Sequence, residues 1–517
     1  MKKILAFLLV LCMATSICSA LAEVTYPLDD GLSIKVWIAT DAGNSQYLTN
    51  YGESPVWQRF QELTGVKIEF IHPSYGAEKE GFATMMAGDM WPDVIIDFGA
   101  YYKGGVVSAY EDDVIYDLTP YLEEYAPDYY ALINSSTETH NQFYTEDEKV
   151  LCFQTYAVED NPDSQSIILH ADWCEEFGLV PAELDTYNEI EVYFQKILDN
   201  KPGVVPFLHA LGSDNIKCFM YGYDITNDFM NIDGKIIYYA DTENYKKFLE
   251  RMHSWYEKGY LGVDFANSKN ATTRKQFVAG EVGCELVPIG NAYADCEAAG
   301  VPMDKGPYWL ETEDTIVHCY SLGANVAQGI ESVITTACDE SLVPAVVKFM
   351  NYCYTDEGSV VASWGPEGIA WDGYDEKGER KFTDWVVNNP TYTTSVMHNV
   401  CRLHYWPAAR YMDATCNPNV VKDPIVREMR RRYTYMDNFQ TDHFITAAVK
   451  LTAEESEERA NILTDVETYV RENMIKFITG ELSVENDWDA YVNGLKTFKL
   501  DQAIAIMQDA YDRSLAR

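Results

Sequence analysis

The chain has 517 residues, 47% of them apolar, more than a single hydrophobic core organises, so two or more domains are expected. Its formal charge is −42, from 81 acidic against 39 basic residues. A surface this acidic repels nucleic-acid phosphates and anionic membrane, which excludes nucleic acid as a partner.

In chain order, residues 1–22 come first: Lys2 and Lys3, an apolar run from Ile4 to Cys12, and an Ala20-x-Ala22 ending. These are the parts of a secretory signal cleaved after Ala22, too short for a membrane span. Cleavage removes two lysines and no acid, taking −42 to −44. Cys12 and Cys18 follow the bulky Leu11 and Ile17, where a lipid-attachment site wants a small residue, so release is favoured over anchoring. Ten cysteines remain without a CxxC pair and read as buried thiols, with a bridge or two left open.

"LSIKVWI" (32–38) alternates like a half-buried strand. Ser54-Pro55 opens a helix that Gly65 closes, "VKIEFI" (66–71) is the next strand, and a second helix leads into the apolar run "DVIIDF" (93–98). Strand, helix, strand, helix, strand predicts an open, largely parallel α/β sheet, whose ligands sit beyond the carboxyl ends of its strands. That rule selects the loop 39–53 and "GAYYKGG", with Tyr101 and Tyr102 either at the crevice or covering a sheet edge. The pattern restarts at "SIILHADWCEEFGLV" (166–180), continues through helices at 186–198 and 245–261, and reaches a buried strand before Gly290. No long linker separates the halves, so two lobes joined by crossing segments are expected. Helices over 341–354 and 355–364 follow, the second stopped by Gly365-Pro366, so that "WGPEGIAW" (364–371) is a loop at a helix C-terminus. Long amphipathic helices over 451–482 and 500–515 end the chain.

No catalytic signature is present: no GxSxG, HExxH, Walker loop or GxGxxG, and the nine histidines lack metal-ligand spacing. "DGYDEKGERKF" (372–382) lacks the alternating ligands of a calcium loop and reads as a hairpin turning at Lys377-Gly378. Aromatic residues, 13% of the chain, are interleaved with polar ones in "GAYYKG", "IGNAY", "WGPEGIAW" and "LHYWPAARY". Flat rings cover the apolar face of a sugar while neighbouring polar groups satisfy its hydroxyls, which makes carbohydrate a candidate ligand. The competing reading of the same rings is core packing.

The stretches "FQELTGVKIE" (60–69), "MAGDMWPDVI" (86–95), "LHADWCEEFGL" (169–179), "FLERMHSWYEKGYL" (248–261), "FVAGEVG" (277–283), "AVVKFMNYCYTDEG" (345–358), "WGPEG" (364–368) and "AYDR" (510–513) occur in an order that resembles a known family. It is that of the extracellular solute-binding proteins of carbohydrate-type ABC importers, in the large lipoprotein-like branch of Gram-positive bacteria. The resemblance implies an α/β, two-lobed, periplasmic-binding-protein-like fold of type II, with an interlobe cleft and crossing hinge segments. It assigns 23–157 and 330–395 to lobe 1, and 158–329 and 396–517 to lobe 2. Carried onto this sequence, it implies ligand contacts from Asn44, Tyr101, Tyr156, Asn291, Trp364, Glu367 and Trp371, with Glu367 a hydrogen-bond acceptor or loop residue rather than a catalyst. It implies a monomeric, non-enzymatic receptor at the outer face of the cell membrane, handing its carbohydrate to permease subunits and needing no cofactor. Two departures stand out: Ala20-x-Ala22 replaces the usual lipid-attachment cysteine, and only Asp199 and Asn200 remain where many members hold calcium, so no metal is expected. Outside the family, a secreted carbohydrate-active enzyme is the alternative, and within the fold a receptor for peptide or another small solute.

Overall fold

The computed structural model describes residues 23–29, 31–41, 44–88, 91–158, 165–209, 219–306, 309–318, 324–411, 414–418, 421, 424–431 and 436–517. The expected signal segment 1–22, Cys218 and Cys319 lie outside these residues.

Local capping chemistry sets the helices. Ser54 Oγ accepts from the Val56 N–H and Pro55 fills the first turn of the helix Pro55–Thr64, which Gly65 ends at φ 76°. A Cβ there would strike the backbone of Leu28, so the close approach of the N-terminal segment requires glycine. Reciprocal capping boxes open Tyr187–Asn200 (Thr186 with Glu189) and Ala453–Thr479 (Thr452 with Glu455).

Lobe 1 is built on a sheet ordered Lys67–Ile71, Ser33–Trp37, Val94–Ile95, Val333–Ile334, the first three parallel and the last antiparallel. Ile34, Val36, Val94 and Ile96 are buried with Phe60, Phe349, Met350 and Trp406 in its principal core. The apolar run 93–98 is paired for only two residues before Asp97 turns left-handed at φ 58°. Lobe 2 carries a sheet ordered Met303–Lys305, Gln165–His170, Val282–Pro288, Val205–Phe207, with only its last pair parallel. Its core centres on Tyr187, Phe194, Phe207, Trp255 and Trp309 and is completed by Val466, Phe477, Leu495 and Met507 from the C-terminal helices Ala453–Thr479, Val484–Thr497 and Leu500–Ser514.

Three segments cross between the lobes as a narrow ribbon. Tyr156–Ala157 runs parallel to Ala409–Arg410, the Tyr156 N–H donating to the Ala408 carbonyl (2.9 Å) and the Val158 N–H to that of Arg410 (3.0 Å). On its other side the Ala157 N–H donates to Val326 (2.8 Å), while Phe153 and Ser332 exchange both backbone bonds at 2.8 Å. Leu403, Trp406, Ala408 and Ala409 pack into the core that contains the first sheet, just ahead of the pairing with Tyr156–Ala157. The buried Arg410 guanidinium fixes this crossing by donating to the carbonyls of Ala362 (2.7 Å), Trp406 (2.7 Å) and Leu403.

Candidate functional site

The carboxyl ends of the parallel lobe 1 strands open beside this ribbon. After Ser33–Trp37 comes Asp41, whose carboxylate accepts from the Asn44 backbone N–H (2.9 Å), from the Asn44 side-chain amide, and from Asn399 Nδ2 (2.9 Å), with His404 Nε2 at 3.6 Å. Burial opposes the charge on Asp41, yet the neighbouring His404 and the hydrogen bonds from Asn44 and Asn399 together bring its carboxyl below the ordinary range, while burial and the nearby Arg402 guanidinium push His404 down. Asn44 is itself buried and serves as a bracket for Asp41. Asp41 was not singled out by sequence because its partners at 399 and 404 arrive from the far end of lobe 1.

After Val94–Ile95 comes Asp97, whose carboxyl is raised to about 6 by burial and by the charge of Glu331. Gly99 makes room for Glu331, since a Cβ there would overlap its carboxylate. Tyr101 follows, half-buried, its ring edge-on to Trp37 (5.2 Å between centroids) and stacked on Phe82 (5.5 Å). Tyr405 reaches the same wall from the crossing segment in the left-handed conformation, φ 60°, a strained geometry for a bulky residue. Burial raises its hydroxyl to about 12, with the charges of Asp41, Asp97, Tyr75 and Glu78 acting in the same direction. Tyr75, 58% exposed, stands at the rim. A cavity of about 340 Å³ lies beside Tyr101, lined by Phe82, Met86, Tyr102, Asp112 and, from the long C-terminal helix of lobe 2, Glu457. Tyr405 thus ties Asp41 and Asp97 to one wall at the strand ends, and Tyr101 joins that wall to the cavity.

The other expected site residues fall on separate elements. Tyr156 lies in the ribbon, half-buried and stacked on Phe143 (5.9 Å). Asn291 follows the strand Val282–Pro288 as expected but within a helix, Ile289–Ala299, and its side chain is outside the described residues. Trp364 and Trp371 are 4% and 5% exposed, in a satellite core with Phe382, Met397 and Cys401. Their ring N–H groups donate to the carbonyls of Thr415 (3.1 Å) and Gly365 (2.9 Å). Between them lies the Arg380 guanidinium, 4.3 Å from one ring and 5.1 Å from the other. The two tryptophans expected as ligand contacts thus flank a cation within this core. Glu367 is exposed at the turn, its backbone bridged to that of Trp371. The strands Trp371–Tyr374 and Arg380–Phe382 form the expected hairpin, with the Asp375 carboxylate accepting from the N–H groups of Lys377 (2.8 Å) and Glu379 (2.9 Å).

Two lobes, a three-segment ribbon and a site at the strand ends define the fold of the two-lobed solute-binding proteins. The chain is 22% identical to the fructooligosaccharide ABC transporter substrate-binding protein FusA of Streptococcus pneumoniae, over 95% of its own length and 92% of that protein's. A carbohydrate ABC transporter substrate-binding protein of the same organism is 20% identical over 45% of this chain and 50% of the relative. Among solved structures, the alginate-binding protein AlgQ2 without calcium ion matches with a TM-score of 0.72 and 17% identity, covering 95% of this chain and all of that one. FusA in complex with kestose matches with a TM-score of 0.72 and 16% identity, over 94% and 99% of the two chains. No family model matches. The sequence resemblance to solute-binding proteins of carbohydrate ABC importers thus extends along nearly the whole chain, and the fold agrees with it.

Proposed function

We propose that the chain is the extracellular substrate-binding component of an ABC importer, which takes a sugar or oligosaccharide between its lobes and delivers it to membrane permease subunits. The observation that carries this reading is the wall of Tyr101, Tyr405, Asp41 and Asp97 beside the three-segment ribbon. Phenol rings cover the apolar faces of sugar rings, and carboxylates accept from their hydroxyls. Closure is a population shift: ligand touching both lobes favours the closed arrangement by the contacts absent from the open one. Asn44 supports the site through Asp41, Tyr156 through the ribbon, and Trp364, Glu367 and Trp371 through the scaffold beyond it; Asn291 is the candidate from lobe 2.

Relatives are named for ligands as different as fructooligosaccharide and alginate. Electrostatics favours the neutral class here, because an anionic uronate chain would approach a protein of charge −42 and meet Asp41, ionised at neutral pH. The chain acts as a monomer without catalysis or cofactor, exported by a signal cleaved after Ala22. Among the described residues no helix is long and apolar enough to cross a membrane.

One observation favours the enzymatic alternative: Asp97 is raised to about 6 while Asp41, which acts on the same Tyr405, is lowered, and glycoside hydrolysis by acid and base uses two carboxyls split in this way. Calorimetry on residues 23–517 with kestose-type fructooligosaccharides, neutral glycans, alginate oligosaccharides and a peptide control tests the reading. One neutral saccharide binding stoichiometrically supports it. Binding confined to alginate overturns the charge argument, and binding confined to peptide overturns the carbohydrate assignment.

A further inference from the structure

Away from the cleft, lobe 2 brings together three residues that are remote in sequence. Asp224 is held left-handed at φ 57° in the Tyr221–Asp224 turn, His318 follows Val317, whose N–H is bonded to Asn438, and His443 lies in the stretch before the long C-terminal helix. Asp224 Oδ1 accepts from the His318 backbone N–H at 2.5 Å, and Oδ2 lies 3.1 Å from His318 Nδ1 and 3.7 Å from His443 Nδ1. The two imidazoles face each other with ring centroids 4.6 Å apart, and one ligand atom from each of the three residues falls within 4.8 Å of the others.

We infer that Asp224, His318 and His443 form a binding site for a divalent transition-metal ion, best matched by Zn²⁺. Ligand atoms about 2.0–2.1 Å from a tetrahedral ion lie roughly 3.3 Å from one another, and the two measured separations bracket that value. Two imidazoles and one carboxylate suit zinc and its neighbours rather than calcium or magnesium, which take oxygen ligands. His443 Nδ1 is buried and has no hydrogen-bond partner among the described residues, while facing a carboxylate beyond hydrogen-bond range. A cation between the two gives His443 Nδ1 a partner. The three side chains are partly exposed, which leaves a path for entry and a fourth position for water.

The backbone already aligns these segments. The Val317 N–H donates to Asn438 (2.8 Å), the Gln440 N–H to Val317 (2.8 Å), the His443 N–H to His318 (3.0 Å) and the Asn231 N–H to His443 (2.9 Å). Beyond His443 the same strap reaches the crossing segment through the Ala447 N–H on Asn325 Oδ1 (2.8 Å), and lobe 1 through Lys450 Nζ on the Gln142 carbonyl (2.7 Å). A metal at His443 clamps the strap where it leaves lobe 2, beside the segment about to cross.

The test is calorimetric titration of metal-stripped residues 23–517 with zinc chloride and, separately, calcium chloride, together with thermal melts. One Zn²⁺ per chain is expected, with a rise in melting temperature that calcium does not reproduce. His318→Ala and His443→Ala each weaken zinc binding at least tenfold, and His443→Gln, which keeps a polar group in place, does the same. Unchanged zinc affinity in the His318→Ala/His443→Ala double variant overturns the site, as does the absence of a bound equivalent in the parent chain. Anomalous scattering at the zinc edge from crystals of the parent chain grown with zinc supplies a measurement free of folding effects: a peak among the three side chains supports the site, and its absence overturns it.

Discussion

At the scale of single residues, the side chains with the most conspicuous local setting are not the ones at the strand ends. Trp364 and Trp371 bracket a Gly-Pro-Glu-Gly turn in sequence, yet both rings are spent on Arg380 and on a satellite core. Trp364→Ala and Trp371→Ala should each cost about 3–5 kcal/mol in urea unfolding, as buried tryptophans do, while leaving saccharide affinity within a few-fold of the parent. Tyr101→Ala and Tyr405→Ala should give the opposite pattern, a loss of affinity of tenfold or more by calorimetry with a smaller loss of stability. Asp97 supplies a pH signature. Its folded-state carboxyl titrates near 6, above its unfolded value, so the native protein binds more protons than the unfolded chain between those values and stability falls as pH rises through that window. Asp97→Asn removes the penalty, and its melting temperature should exceed the parent's at pH 7 by a margin that shrinks as pH falls toward 4. A constant margin would show that Asp97 is not the titrating group.

At the scale of elements, capping and termination were legible in the sequence because they are local. Ser54-Pro55 with Gly65 and the hairpin at Lys377-Gly378 each depend on residues close together in the chain. The paired length of the third strand was not legible: "DVIIDF" is apolar throughout, and only the left-handed Asp97 marks where pairing stops. Neither Asp41 with Asn399 and His404 nor the Asp224–His318–His443 group could be read from spacing, because the fold joins them across more than 90 residues. The ribbon makes a testable element. Arg410→Met strands the carbonyls of Ala362, Leu403 and Trp406, and at about 1–3 kcal/mol per unpaired buried group the variant should lose roughly 3 kcal/mol or more in denaturant unfolding. The turn after Tyr187–Asn200 makes another. Asp199 accepts from Gln195 (2.8 Å), and Lys201 fills the turn with its own cation, paired to Glu176 (2.7 Å) and lying 4.8 Å over the Trp173 ring. Calcium needs six or more oxygen ligands, so calorimetry should find no tight calcium site there, and heat that disappears in Asp199→Ala would contradict this.

At the scale of the whole molecule, the lobes are tied by more than the ribbon. The C-terminal helices complete the lobe 2 core and also touch lobe 1, where Arg513 donates to Glu146 (2.6 Å) as well as to Glu455 (2.8 and 2.6 Å), and Ser456 Oγ donates to the Gly104 carbonyl (3.1 Å). Closure on a ligand must therefore rearrange the contacts around Tyr101, Lys103 and Glu457 together with the ribbon. The two-sheet plan was legible from the restart of the strand–helix pattern near 166, whereas the packing of Leu403 and Trp406 into the first core was not, because it depends on partners more than 300 residues away in the chain, such as Phe60. The proposed receptor binds a neutral saccharide and returns it unchanged. The most direct measurement incubates residues 23–517 with the saccharide that calorimetry selects, then quantifies bound and free sugar by chromatography after denaturation. One equivalent recovered intact is the predicted result; shortened product accumulating beyond one equivalent would contradict it and make Asp97 and Asp41 a catalytic pair.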